Sequence, residues 1–239
     1  MTERTDSGGR EFPQTRWTLI LSVRERPEQR RAALEQLLGS YWRPLYFFAR
    51  RKGLDPDAAQ DAVQGFLLHV VEHDVVGRAD PAKGRFRAYL RAAFAHFLVN
   101  LHAHATAQKR GGGVVLLPLD VERAEQNLEA VPESADAAYD REWAIGIMER
   151  ALHQLEAELK DGRWRGSFAV VARFFRAAPA PPYAEVAASS GMSVPQLKAF
   201  LHRTRVRFRA LLRAEVADTL AAGEDVDAEI RELMRALNA

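Results

Sequence analysis

Residues 182–213 constrain the fold most strongly, because they carry two helix signals separated by a glycine turn. Pro182 suits the first position of a helix, and Gly191 suits the left-handed conformation that ends one. Ser193 and Gln196 then match the capping box, in which each side chain bonds a backbone amide near the helix start. This order of signals predicts a helix, a tight turn and a second helix.

The second of these helices is apolar on one face and basic on the others. The apolar residues that recur at helical spacing are Val194, Leu197, Leu201, Phe208 and Leu211, and Thr204 fills the gap between them. Residues 194–213 contain no Asp or Glu, so six Lys and Arg side chains stand without local compensation. Such a density of like charge favours a polyanion partner, which predicts a DNA-binding helix-turn-helix. A solvated basic face is the alternative.

The rest of the chain scans as helix, which predicts an all-α protein. Its 239 residues suit two domains of about 100 residues each. We expect a leader with a short helix over 1–27, a first domain over 28–110, a flexible, extended acidic linker over 111–139, a second domain over 140–213, and an acidic tail over 214–239. A further hypothesis is that this tail docks back onto the basic helix.

Asp55 and Pro56 predict the start of a helix in the first domain. Its buried stripe is predicted to contain Ala59, Val63, Phe66 or Leu67, and Val70. The opposite face has a polar ridge, formed by Asp57, Gln60, Asp61 and Gln64. These four side chains fall on one face of a helix, which favours either a protein partner or simple solvation.

Asp80 and Pro81 predict another helix, which runs to about Gln108. Its first turns interleave cations with aromatic rings, at Lys83, Arg85, Phe86, Arg87, Tyr89, Arg91 and Phe94. Cations contact phosphates and aromatic faces stack on unpaired bases, so the pattern favours single-stranded nucleic acid. Phe86 and Phe94 are assigned mainly to packing, which leaves Tyr89 as the stacking candidate.

Composition and motifs exclude several other classes. The chain has no cysteine, so it forms no disulfide, and it has no apolar run of about 20 residues. We therefore expect a soluble cytoplasmic protein without a membrane span. His69, Glu72 and His73 fit the H-x-x-E-H pattern of a zinc enzyme, which stays open as a minor alternative. No other catalytic or cofactor motif is present, so the chain is not expected to be an enzyme or to hold a cofactor or metal.

These motifs, taken in order, resemble one protein family. DAAQDAVQGFLLHVVE, KGRFRAYLRAAFAHFLVN, a linker, and PYAEVAASSGMSVPQLKAFLHRTRVRFRALLR closely resemble the bacterial RNA polymerase sigma factors of the extracytoplasmic function group. The resemblance covers about residues 16–213 and is sharpest in the C-terminal half. It implies a cytoplasmic transcription initiation factor whose two helical domains bind core RNA polymerase and promoter DNA.

The resemblance also implies roles for particular residues. The β′ clamp of the polymerase would be contacted by Asp57, Gln60, Asp61, Gln64 and Phe66, and the β flap would bind the factor elsewhere. The −10 promoter element would be held by Lys83, Arg85, Arg87, Tyr89, Arg91, Asn100, Lys109 and Arg110. The −35 element would be read by Ser193, Gln196, Lys198, His202, Arg203, Arg205 and Arg207. The acidic linker would enter the RNA channel, and an anti-sigma protein is a further possible partner.

A stand-alone helix-turn-helix regulator is the main rival interpretation. It would use residues 196–213 to bind DNA and would never engage polymerase. It leaves the basic block of the first domain and the acidic linker without a role.

Overall fold

The computed structural model describes residues 38–80, 83–105, 119–126, 128, 134–161, 168–176, 179–220 and 223–238. Over these residues the secondary structure is helical and contains no strand, which confirms the all-α prediction. The α-helices are α1 (Trp42–Arg51), α2 (Pro56–Glu72), α3 (Phe86–Ala105), α4 (Val121–Gln126), α5 (Ala135–Asp161), α6 (Phe168–Arg176), α7 (Tyr183–Ser189), α8 (Val194–Ala217) and α9 (Val226–Asn238). The short helix predicted within residues 1–27 lies outside the described residues. No described helix has the length and apolar character needed to cross a membrane.

Helix α5 lies at the centre of the fold and is 27 residues long. Buried side chains recur along this helix at intervals of four residues, at Tyr139, Trp143, Ile147, Ala151 and Leu155. This spacing produces a stripe along one side of the helix, and α1, α8 and α9 all pack against α5.

One hydrophobic core runs through most of the described residues. It joins Phe48 of α1, Phe66 of α2 and Phe94 of α3 to Trp143 of α5 and Phe208 of α8. Side chains from both predicted domains therefore share this core. The observed core is continuous across the predicted boundary. The division into two domains stays a prediction.

The extended linker predicted over 111–139 is wrong for two of its segments. Residues 121–126 form α4, and residues 135–139 are the first turns of α5. Glu125 holds α4 in place, since it accepts hydrogen bonds from the hydroxyl of Tyr46 at 2.5 Å and from Nε of Arg50 at 2.7 Å. Ala124 is buried beneath it. The acidic side chains are thus used partly for internal pairing, which composition alone does not reveal.

Helix starts follow the predicted signals at some sites and not at others. Asp55 caps α2 through a hydrogen bond from the amide of Ala58, as predicted. Helix α3 begins at Phe86 rather than at Pro81, because Gly84 has a φ of +123° that a helix does not accommodate. Pro182 is the N-cap of α7 rather than its first helical residue.

We predict that Glu125→Gln destabilises the protein at neutral pH and much less in acid. The hydrogen bond from Arg50 holds the pKa of Glu125 below its ordinary value. A carboxyl whose folded pKa is depressed contributes stability above its unfolded pKa and loses it as pH falls through the folded pKa. The substitution should lower the free energy of unfolding by about 1 to 3 kcal/mol at neutral pH. Urea unfolding at about pH 7 and about pH 3 measures both values.

Glu122→Gln is the matched control, because Glu122 lies on the same helix and is exposed. It should change stability by no more than about 0.5 kcal/mol. Equal effects of the two substitutions at neutral pH would show that the contacts of Glu125 do not hold α4.

Candidate nucleic-acid interface

Helices α7 and α8 form the helix-turn-helix that the sequence predicts. A small core of their side chains holds the two helices together, namely Val186, Ala187, Leu197 and Leu201. Gly191 has a φ of +67° in the turn. Ser193 and Gln196 form both hydrogen bonds of the capping box at the start of α8. The local geometry therefore matches the sequence signals at Gly191, Ser193 and Gln196, whereas Pro182 lies one position earlier, at the N-cap.

The basic face of α8 is exposed along its length. The exposed polar side chains at or after its N-terminus include those of Ser193, Gln196, Lys198, His202, Arg203, Arg205, Arg207, Arg209 and Arg213. Arg207 differs from its neighbours because its Nε donates to Glu158 of α5 at 2.7 Å. Lys198 lies 5.5 Å from the centre of the Tyr183 ring. Arg203, Arg205 and Arg209 form no ion pair with any residue in the described ranges, so they remain accessible to a polyanion.

The basic block at the start of α3 consists of Arg85, Arg87 and Arg91. It has a different environment from α8, because acidic side chains of the protein neutralise it. Arg85 lies 2.7 Å from Glu229 of α9, and it also contacts Glu232. Arg91 pairs with Asp140 of α5 at 3.0 Å. The predicted DNA contacts Arg85, Arg87 and Arg91 therefore do not project into solvent as an open cationic surface.

Arg87 is the most enclosed member of this block. Its side chain is 11% exposed and contacts three carboxylates, those of Asp140, Glu229 and Glu232. Its guanidinium also lies 4.6 Å from the centre of the Trp143 ring. Burial alone would lower the pKa of Arg87, but the carboxylates around it raise that pKa above its ordinary value. The charge is thus retained and compensated inside the protein.

The other residues predicted at the −10 element differ in their exposure to solvent. Tyr89 is half-buried, and its hydroxyl donates to the carbonyl of Val75 at 2.8 Å, so its polar end is used in an internal hydrogen bond. Phe86 and Phe94 are buried, which confirms their packing role. Lys83 and Asn100 are exposed. The remaining two, Lys109 and Arg110, lie outside the described residues.

The four side chains of the polar ridge of α2 are exposed or half-buried. Phe66, the fifth residue predicted to contact polymerase, is buried. Asp57 and Asp61 are exposed, while Gln60 and Gln64 are half-buried. Phe66 is 1% exposed, and its ring lies 4.9 Å from that of Phe94. Its assignment to a polymerase contact is therefore wrong, because the core contacts of α3 cover it completely.

The histidine pair predicted as an alternative zinc site has its own internal contacts. The rings of His69 and His73 stack with their centres 4.2 Å apart, and Nδ1 of His73 lies 3.2 Å from the carbonyl of His69. Burial lowers the pKa of His69, and the charge of His73 adds to that effect. Within the described ranges no group of three or more His, Cys, Asp or Glu side chains converges on a metal position.

Sequence reasoning missed the acidic partners of the α3 block. They are Asp136 and Asp140 at the start of α5, with Glu229 and Glu232 on α9. The available signal was the acidic amphipathic pattern after residue 213, which predicted a docking helix but pointed to α8. The observed ion pair between this tail and the basic helix lies in the C-terminal part of α8, where Arg213 pairs with Asp227.

Comparisons of the chain with protein-family models, with curated proteins and with solved structures gave no match.

We predict that Gly65→Ala stabilises the protein. Gly65 lies within α2, and a Cβ atom there would meet Cζ of Phe97 at 3.6 Å, an ordinary van der Waals distance. Replacing a helical glycine with alanine should raise stability by about 0.5 to 1 kcal/mol. Thermal unfolding should therefore show a higher Tm.

Gly53→Ala is the matched control and should lower the Tm. Gly53 has a φ of +93°, which an alanine adopts only with strain. A lower Tm for Gly65→Ala would mean that the contact with Phe97 is tighter than the geometry indicates.

Proposed function

We propose that this protein is an accessory sigma factor that binds core RNA polymerase and directs it to a limited set of promoters. The observation that carries the proposal is that one chain presents both the exposed basic face of α8, in a helix-turn-helix, and the polar ridge of α2 with its exposed carboxylates. The first suits promoter DNA and the second suits a protein partner. In this role the chain is not an enzyme, since the polymerase forms the bonds.

The contact with DNA is proposed to begin at the N-terminal end of α8. Gln196, Lys198 and His202 are exposed there, and the N-terminal residues of a recognition helix contact base edges in the major groove. Arg203, Arg205 and Arg209 then supply cations for the backbone phosphates. Arg207 contributes less, because Glu158 already pairs with it.

The contact with polymerase is proposed to use the exposed carboxylates of α2. Asp57 and Asp61 lie four residues apart on one face of the helix, and neither pairs with a cation in the described part of the chain. They are available to the Lys and Arg side chains of a partner. The β′ clamp is the proposed partner surface, and the division into a −10 module and a −35 module belongs to this same proposal.

A stand-alone DNA-binding regulator is the second candidate, and one observation favours it. Arg85, Arg87 and Arg91 are paired internally, whereas the basic face of α8 is exposed, so of these two predicted DNA-binding surfaces the helix-turn-helix is the one open to DNA as it stands. A stand-alone regulator should bind duplex promoter DNA tightly without polymerase. A sigma factor should need the core enzyme.

We predict that Asp61→Arg weakens binding to core RNA polymerase by at least about tenfold, because it places a cation where the partner is expected to present cations. Gln64→Ala should weaken binding less, since it removes hydrogen bonds without reversing a charge. Titration of labelled protein with core enzyme at several salt concentrations measures both effects.

Glu122→Arg is the control, because it makes the same charge change at an exposed position on α4, which is held against α1 and is not part of an extended linker. It should bind core enzyme like the unmodified protein. Absence of binding by the unmodified protein to an active core enzyme would reject the sigma-factor proposal and favour the stand-alone regulator.

A further inference from the structure

We propose that α9 covers the DNA-binding surface of α3 and that single-stranded promoter DNA competes with α9 for Arg85 and Arg87. The inference deepens the proposed function and rests on it. Its basis is the direct contact of these two arginines with the carboxylates of Glu229 and Glu232.

The chemistry of the contact is that of a phosphate backbone. Glu229 is 1% exposed, and its carboxylate lies 2.7 Å from Arg85 and 2.9 Å from Arg87. Glu232 adds a second carboxylate, 3.0 Å from Arg87. Two anions held by two guanidinium groups reproduce the charge pattern of adjacent phosphates, so DNA and α9 cannot occupy these arginines together.

The contact is restricted to part of the basic block. Arg91 pairs with Asp136 and Asp140, which belong to α5 rather than to α9. Displacement of α9 therefore frees Arg85, removes two of the three carboxylates around Arg87, and leaves Arg91 neutralised. It also frees Arg213 at the end of α8, because Asp227 of α9 is its partner.

Helix α9 is built to dock as a unit. It has 13 residues, which is too short for a stable isolated helix in water, so it depends on its contacts with the core. Leu233 is fully buried, and Val226, Ile230 and Leu237 pack partly against the core. The connection from α8 ends at Val226, after Gly223 with its φ of +90°. Displacement of α9 would therefore expose Leu233.

The first test uses the double variant Glu229→Gln and Glu232→Gln, which keeps side-chain size and removes both charges. Fluorescence anisotropy with a labelled single-stranded oligonucleotide measures its affinity at several salt concentrations. We expect binding to tighten by about tenfold at low salt and the log–log salt slope to steepen by about 1.4, since two more phosphates are neutralised.

The matched control is Glu122→Gln with Glu149→Gln, which changes net charge equally away from α9, at exposed Glu122 and at half-buried Glu149, whose carboxylate lies 3.7 Å from Arg43. It should leave affinity and slope unchanged. Adding Arg85→Ala and Arg87→Ala to the α9 variant should abolish the gain. Equal gains in the two double variants, no gain in either, or a gain that survives loss of the arginines would each overturn the proposal.

A second test follows α9 directly. The chain has no cysteine, so Leu233→Cys would introduce the only thiol, at a position that is 0% exposed. Modification by a thiol reagent should be slow in the protein alone and about tenfold faster with saturating single-stranded DNA, because α9 must detach. An unchanged rate with DNA bound would show that DNA does not displace the helix.

The two proposals fail separately. Binding to core polymerase that depends on Asp61, together with no effect of the α9 charges, would reject the proposal that α9 covers Arg85 and Arg87 but would support the sigma-factor proposal. A tenfold effect of the α9 charges without polymerase binding would support covering by α9 in a DNA-binding protein that is not a sigma factor.

Discussion

The buried cation of Arg87 is the interaction on which the arrangement of α3, α5 and α9 depends. A guanidinium that is removed from water must be compensated, and loss of its partners leaves an uncompensated charge at high cost. Asp140, Glu229 and Glu232 provide that compensation from two different helices. Arg87 of α3 therefore links the N-terminal part of α5 to α9.

The sequence was sufficient for features whose causes are local. The caps at Asp55 and Ser193, the turn at Gly191 and the acidic helix α9 each depend on residues a few positions apart, so spacing alone predicts them. The helix-turn-helix was predictable for the same reason. Gly84 shows the limit, because one glycine moved the start of α3 to Phe86 although the cap signal stood earlier.

Features with distant causes could not be predicted in this way. Glu125 reads as one more acid in an acidic segment, yet its partners Tyr46 and Arg50 lie more than 70 residues away in sequence. The arginines of α3 read as a surface for phosphates, although their acids come from beyond residue 135. Phe66 could be placed on the buried stripe, but only the packing of α3 shows that no part of its ring is left for a partner.

The contacts between α9 and the arginines at the start of α3 determine which ligands could displace α9. Helix α9 is held by apolar contacts around Leu233 and by carboxylates on arginines, and the second kind of contact can be exchanged for an anion of similar geometry. The exposed pair of Arg213 and Asp227 is screened by salt, while Glu229 is shielded from solvent and responds mainly to a directly competing ligand. Exchange of carboxylate for phosphate would also keep Arg87 compensated throughout, so the buried charge opposes simple detachment of α9 but not its replacement by a phosphate-bearing ligand.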